Sequence, residues 1–236
     1  MSADLFMIEL LLDAEALVRF LQGRGINHRQ DEDLGYGCHA WLTAAFGSLA
    51  PKPFRMLMGG KSRNAARILA YGPHGMEALR RYLTEYAEPG AHAVCSPECI
   101  SAKKMPVAWE AGRTLGFEVL ACPVSRREGT EKDVYLRQAD RGGPEAGLQR
   151  EAVYGSWLAA QMQGAADPVD VRLVGFRLIR FFRNSHGSKA ARGLRPQAML
   201  AGRLRVVESE AFARMLARGI GRHRAFGYGM LLLRPV

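Results

Sequence analysis

Tyr36 and His39 stand three residues apart in the stretch YGCHAWLTAAF, residues 36–46. In a helix that spacing puts both side chains on one face, and Thr43 continues it. Histidine has an ordinary pKa near neutrality, so an imidazole beside a phenol at a surface can take or give a proton in the physiological range. The same spacing suits an ordinary histidine at a helix boundary, and by itself the pair names no reaction. Two other constellations offer less. Cys95 and Cys99 in CSPEC have a zinc-like spacing with His92 nearby, but no second close Cys/His pair completes a ligand set, and no metal or other cofactor is expected. MGGKS (58–62) ends like a phosphate-binding P-loop, yet the first glycine that such a loop needs would fall at Arg55. The stretch GIGRHRAFGYG (219–229) has two readings. Its glycines can make a tight helix-to-strand connection at positive φ. They can also bare backbone N–H groups which, with Arg218, Arg222 and Arg224, suit a phosphate-rich backbone.

These residues need elements to hold them. LFMIELLLD reads as a strand, AEALVRFLQGRG as a helix ending at glycine, and LGYGCHAWLTAAFG as a second helix. In that second helix Cys38, Leu42, Ala45 and Phe46 form a buried stripe, with Tyr36 and His39 turned away from its centre. PFRMLMGG and ARILAYG read as strands, and GMEALRRYLTEYA as an amphipathic helix with Leu79, Tyr82, Leu83 and Tyr86 on its apolar side. An extended segment around AVCSPECI completes β-α-β-β-α-β. The order then repeats: strand GFEVLACPVSRR, helix EAVYGSWLAAQMQG, strands VRLVGFRLIRFFR and AMLAGRLRVVE, helix SEAFARMLARG, and a last strand in FGYGMLLLRP. The expected fold class is therefore α+β, two tandem ferredoxin-like (RRM-like) βαββαβ domains over residues 1–108 and 109–236, with the boundary in KKMPVAWEAG. A single mixed α/β domain is the other arrangement this order permits.

Charge narrows the partner. The 236-residue chain has 33 Lys and Arg against 23 Asp and Glu, a formal net charge of +10, which points to a polyanion such as nucleic acid or an anionic surface. The excess is local. Between Val171 and Val207 stand Arg172, Arg177, Arg180, Arg183, Lys189, Arg192, Arg195, Arg203 and Arg205, and no acid at all. Such a run either lines a solvated strand edge or grips phosphates. No apolar run reaches the roughly 18 residues that span a bilayer. The start lacks a basic n-region and carries acids within its apolar stretch, unlike a secretory signal. Four cysteines, Cys38, Cys95, Cys99 and Cys122, are too few for a disulfide scaffold, so reduced thiols and a cytoplasmic location are expected.

Several of these segments resemble one family. GIGRHRAFGYGMLLL is similar to the C-terminal glycine-rich signature of the CRISPR repeat-RNA endoribonucleases of the CasE type, and AGRLRVVESEAFARMLARG to the strand and helix that lead into it. GFEVLACPVSRREGTEKD resembles that family's central strand and basic turn, and Tyr36-x-x-His39 its active-site tyrosine and histidine. The family usually places this pair shortly after the first strand. Here AEALVRFLQGRGINHRQDED intervenes, so His28 competes for the role.

The resemblance implies a metal-independent endoribonuclease that binds the hairpin of precursor CRISPR RNA and cuts at its base. The ribose 2′-hydroxyl would attack, leaving a 2′,3′-cyclic phosphate. His39 would be the general acid or base, Tyr36 an orienting group, and an unnamed Arg or Lys the cation at the phosphate. Arg126, Arg127, Arg177, Arg180, Arg183, Lys189 and Arg192 would grip the stem, and Gly219, Gly221, Arg222, Arg224 and Gly227 the RNA backbone. It further implies mature guide RNA and other Cas subunits of an interference complex as partners, and no membrane. The alternative is a non-catalytic guide-RNA-binding subunit with the same fold.

Overall fold

The computed structural model describes residues 4–26, 34–59, 65–142, 147–181 and 193–236. They form two compact units: residues 1–107 with 224–230, and residues 108–223 with 231–236. The second part of the glycine-rich loop thus belongs with the first unit.

In the first unit the strand β1 (Phe6–Asp13) is followed by helices α1 (Ala14–Gly23) and α2 (Leu34–Phe46), then strands β2 (Phe54–Met58) and β3 (Ala65–Gly72). Helices α3 (Met76–Tyr86) and α4 (Pro89–His92) and strand β4 (Ile100–Lys104) complete it. The sheet order is β2-β3-β1-β4, every neighbouring pair antiparallel. Ile8, Leu10 and Leu12 alternate along β1 and point into the core, as a half-buried strand requires. Asp13 ends the strand and starts α1, its carboxylate accepting from the backbone N–H of Glu15 and Ala16 at 2.9 Å each. At the far end of α2, Gly47 has φ +53°, and a Cβ there would collide with the Tyr82 hydroxyl.

Two details differ from the sequence reading. Leu79 and Leu83 of α3 are buried, but Tyr86 is exposed and rests its ring on Tyr82, 5.1 Å between centroids. The segment 93–99 is not a strand. Pro89 opens the short α4 and Pro97 a 3-10 turn (Pro97–Cys99), so the strand begins only at Ile100.

In the second unit β5 (Thr114–Ala121) precedes a hairpin of β6 (Val124–Arg127) and β7 (Thr130–Asp133). Helices α5 (Val134–Gly142) and α6 (Arg150–Met162), strands β8 (Ala166–Phe181) and β9 (Gly193–Val206), helix α7 (Ser209–Arg218) and strand β10 (Leu231–Arg234) follow. The order β10-β5-β9-β8 is again antiparallel throughout. Numbering the strands of each four-stranded sheet in chain order, both sheets read 4-1-3-2, the split β-α-β arrangement of a ferredoxin-like domain used twice. The single strand read across GFEVLACPVSRR breaks at Pro123, which has no N–H for a ladder, and its second half pairs with β7 instead. Glu128 and Gly129 turn that hairpin with φ 48° and 79°, the two positive values of a type I′ turn. The final strand is also shorter than expected, because Arg224–Phe226 forms a 3-10 turn ahead of it. No helix among the described residues is long and apolar enough to cross a membrane.

Candidate active site

Helix α2 is buried on most of its circumference. Gly35, Gly37, Cys38, Trp41, Leu42, Ala45 and Phe46 all lie in the core, the expected stripe among them. Trp41 pins the helix by donating its indole N–H to the Ala91 carbonyl at 3.0 Å, and the Cys38 thiol meets the Met56 sulfur of β2 at 3.1 Å. What the core leaves free is a narrow strip with Tyr36 and His39, both half-buried. Thr43, which was expected to continue it, turns its hydroxyl back onto the His39 carbonyl at 2.8 Å, the usual recourse of a threonine inside a helix. The glycine-rich loop adds a ring to this strip. Phe226 packs edge-to-face on His39, with centroids 5.2 Å apart and planes at 89°, and lies 6.0 Å from Tyr36.

The His39 imidazole is held below its ordinary pKa, first by burial and then by the ammonium of Lys52. It is therefore neutral around neutral pH and able to accept a proton. Lys52 itself is exposed, on the short connection from α2 to β2. A neutral imidazole, a phenol and an ammonium together can deprotonate a hydroxyl, orient it and offset negative charge on a phosphate. His28 lies outside the described residues.

The basic surfaces of the second unit divide more sharply than their sequence suggests. Arg126 and Arg127 are exposed on β6, with Arg126 donating to the Gly129 carbonyl at 3.2 Å. Arg177 and Arg180 are exposed on β8, and Arg177 bonds the amide oxygen of Gln197. Arg183, Lys189 and Arg192 lie outside the described residues.

Arg222 is committed within the protein. Its Nε reaches Glu131 at 2.5 Å, and His223 bonds the other oxygen of that carboxylate at 2.9 Å, with Arg195 at 3.9 Å. Burial raises the Glu131 pKa, but His223 and Arg222 outweigh it and hold the carboxyl below its ordinary value. His223 takes φ 61°, a conformation uncommon for a residue with a side chain, which fits a backbone held by this clamp. Gly219 and Gly227 are buried, so of these loop glycines Gly221 has surface to offer. Gly221 has φ +72°, and a Cβ there would stand 2.9 Å from the Trp157 ring. Gly227, with φ +84°, would put a Cβ 3.3 Å from Phe54.

Comparison with known proteins assigns this arrangement to a family. The sequence matches the family described as CRISPR associated protein over residues 5–235. The chain belongs to that family. This CRISPR-associated protein is 31% identical over 129 residues to the CRISPR-associated endoribonuclease Cse3 of Thermus thermophilus, a match covering 54% of this chain and 59% of the relative. It spans less than two thirds of that relative's length in the match. Its fold is similar to Thermus thermophilus Cse3 bound to an RNA representing a pre-cleavage complex, with TM-score 0.67 and 17% identity over 98% of this chain and all of the other. It is also similar to the CRISPR-associated protein Cas6e from Escherichia coli, with TM-score 0.61 and 17% identity over 98% of this chain and all of the other.

Three residues of this CRISPR-associated protein escaped the sequence reading. Lys52 carries no signal beyond its place between Pro51 and Pro53. Glu131 is an acid inside a basic turn, and Phe226 an aromatic inside a glycine-rich loop, both minor anomalies that only the fold connects to a site. Among the described residues no group of three or more His, Cys, Asp or Glu is arranged to hold a metal, so Cys95, Cys99 and His92 do not form one.

Proposed function

We propose that this protein is an endoribonuclease that binds the repeat hairpin of CRISPR precursor RNA and cleaves at the hairpin's base. The observation that carries the reading is the Tyr36–His39 strip of α2. It places a neutral, half-buried imidazole beside a phenol and within the field of Lys52, in a chain of the CRISPR-associated family. RNA brings its own nucleophile. The 2′-hydroxyl of the nucleotide 5′ of the cut loses its proton to His39 and attacks the adjacent phosphorus, forming the new O–P bond. The 5′ oxygen leaves and takes up a proton, giving a 2′,3′-cyclic phosphate and a 5′-hydroxyl. Tyr36 orients the attacking or scissile groups, and Lys52 is the cation that offsets charge building on the phosphate. No step in this route calls for a metal.

Arg126, Arg127, Arg177 and Arg180 are the exposed cations that would hold the stem phosphates, because A-form RNA offers shape and backbone rather than readable major-groove edges. Arg183, Lys189 and Arg192, which lie outside the described residues, would join them in holding the stem. Arg224, Gly221 and the loop around them would bear on the backbone, while Arg222 holds the loop through Glu131. The product stays on the protein, which acts as a subunit of a CRISPR complex in the cytoplasm. This agrees with a solved relative in a CRISPR RNA-guided surveillance complex, TM-score 0.55 at 14% identity.

Incubating the protein with the repeat RNA encoded beside its gene tests the reading. One cut at the hairpin's base is expected. Tight binding without any cut would replace it with the non-catalytic guide-RNA subunit.

A further inference from the structure

The Phe226 ring of the glycine-rich loop reaches the strip on α2, and the way the loop is built bears on where that ring falls. Phe226 closes the 3-10 turn Arg224–Phe226. The next residue, Gly227, has φ +84° and lies so close to the start of β2 and the first turn of α2 that a Cβ there would stand 3.3 Å from Phe54 and 3.9 Å from the Gly35 Cα. A side chain at 227 would be strained in this conformation and would press on the Phe54 ring. The backbone after Phe226 is thus clamped against the two elements that flank the site, and the phenyl ring lands edge-to-face on His39 at 5.2 Å and 89°. That is a favoured geometry for an aromatic pair. It is lost if either ring turns.

We propose that Phe226 is a positioning residue which fixes the orientation of the His39 ring, so that the glycine-rich loop serves the chemical step as well as holding backbone. The proposal rests on the reading of His39 as the proton-transfer group. An imidazole free to rotate presents its nitrogen to the 2′-hydroxyl only part of the time, and small misplacements of a catalytic group are costly. The ring of Phe226 also shields one side of the imidazole from water. Among the described residues, the charge acting on that imidazole is the Lys52 ammonium, and the Tyr36 phenol flanks it from the same helix.

The test uses the full-length protein and a synthetic repeat RNA under single-turnover conditions, with Phe226→Ala, Phe226→Leu and His39→Ala compared with wild type. Phe226→Ala is expected to slow cleavage of bound RNA by about tenfold or more. Its RNA Kd should stay within about threefold, since removing the ring touches no phosphate contact. Phe226→Leu, which keeps the bulk but not the ring, should fall between. The acid limb of the rate–pH profile should move up in Phe226→Ala, because water regains the imidazole and burial no longer depresses its pKa as far. Wild-type rates and an unmoved acid limb in both Phe226 variants, with His39→Ala inactive, overturn the positioning role and leave the active-site reading intact. Equal loss of binding and cleavage in both variants assigns the ring to the fold and overturns it too. Full activity in His39→Ala sinks both readings together.

Discussion

The helix leading into the second strand of each ferredoxin-like unit carries a tyrosine, Tyr36 on α2 and Tyr154 on α6, and the two are put to different uses. Tyr154 is buried and fully engaged. Its hydroxyl donates to Asp133 at 2.9 Å and accepts from Arg150 at 2.6 Å. The Arg150 guanidinium is stacked between Tyr135 and Phe176, at 4.0 and 4.1 Å from the ring centroids. Burial and then the Asp133 carboxylate push the phenol pKa up, so it remains a neutral donor. Tyr36 is half-buried, its recorded contact is a ring, and no described residue hydrogen-bonds its hydroxyl. Buried polar groups that satisfy one another rigidify a fold, whereas a group sheltered but not satisfied can still meet a ligand. One fold, duplicated, commits its helix tyrosine to a buried polar network in one unit, while in the other the proposed function gives it a part in the chemistry.

The largest break in this comparison should come from His39. His39→Ala is expected to lower the cleavage rate by about 10² to 10⁴-fold, the usual worth of a general acid or base, with RNA affinity changed only a few-fold. Tyr36→Phe should cost less. Single-turnover assays check both, and the same loss in His28→Ala with none in His39→Ala would transfer the role.

Lys52→Ala comes next, about 10 to 100-fold in rate, below the range for a fully enclosed charge-stabilising donor because Lys52 is exposed. Its effect on pH has a definite sign. The ammonium depresses the His39 pKa, so removing it raises that pKa. A base must be deprotonated, so the acid limb of kcat/KM is expected below the ordinary imidazole value in wild type and should move up toward it in Lys52→Ala.

The arginines act on binding. Charge removal at Arg180, Arg183 and Arg192 together should weaken hairpin affinity and flatten the plot of log affinity against log salt by about one unit per lost phosphate contact. A salt titration that overlays wild type would leave that segment a solvated edge.

The smallest effect is reserved for the structural tyrosine. Tyr154→Phe should cost about 1 kcal/mol of stability, since Asp133 and Arg150 keep their mutual contact, and it should leave the cleavage rate unchanged. Denaturant unfolding and the same cleavage assay separate the two readouts.

Much of this fold is written in local pattern. The alternation of Ile8, Leu10 and Leu12, the stripe of Cys38, Leu42, Ala45 and Phe46, and the repeated strand–helix order are short-range signals that the structure keeps. Two of the misreadings fall where proline intervenes. Pro123 diverts half a strand into the β6–β7 hairpin, and Pro89 and Pro97 replace an extended segment with turns. The site was legible only in part. Tyr36 and His39 announce themselves by helical spacing, but Lys52, Phe226 and Glu131 take their significance from partners distant in sequence. Glu131 is 92 residues from the His223 it holds. Such pairings are set by packing, and no periodicity records them.

The central claim is that the RNA's own 2′-hydroxyl is the nucleophile, and one substrate tests it. A repeat RNA in which only the ribose 5′ of the scissile phosphate is 2′-deoxy should bind the protein as the all-ribose RNA does and remain uncut. The all-ribose RNA should be cut in excess EDTA, yielding a 2′,3′-cyclic phosphate upstream and a 5′-hydroxyl downstream. Cleavage of the deoxy substrate, stopped by chelation and leaving a 5′-phosphate on the downstream fragment, would mean that water activated by a metal is the nucleophile, and would contradict the account.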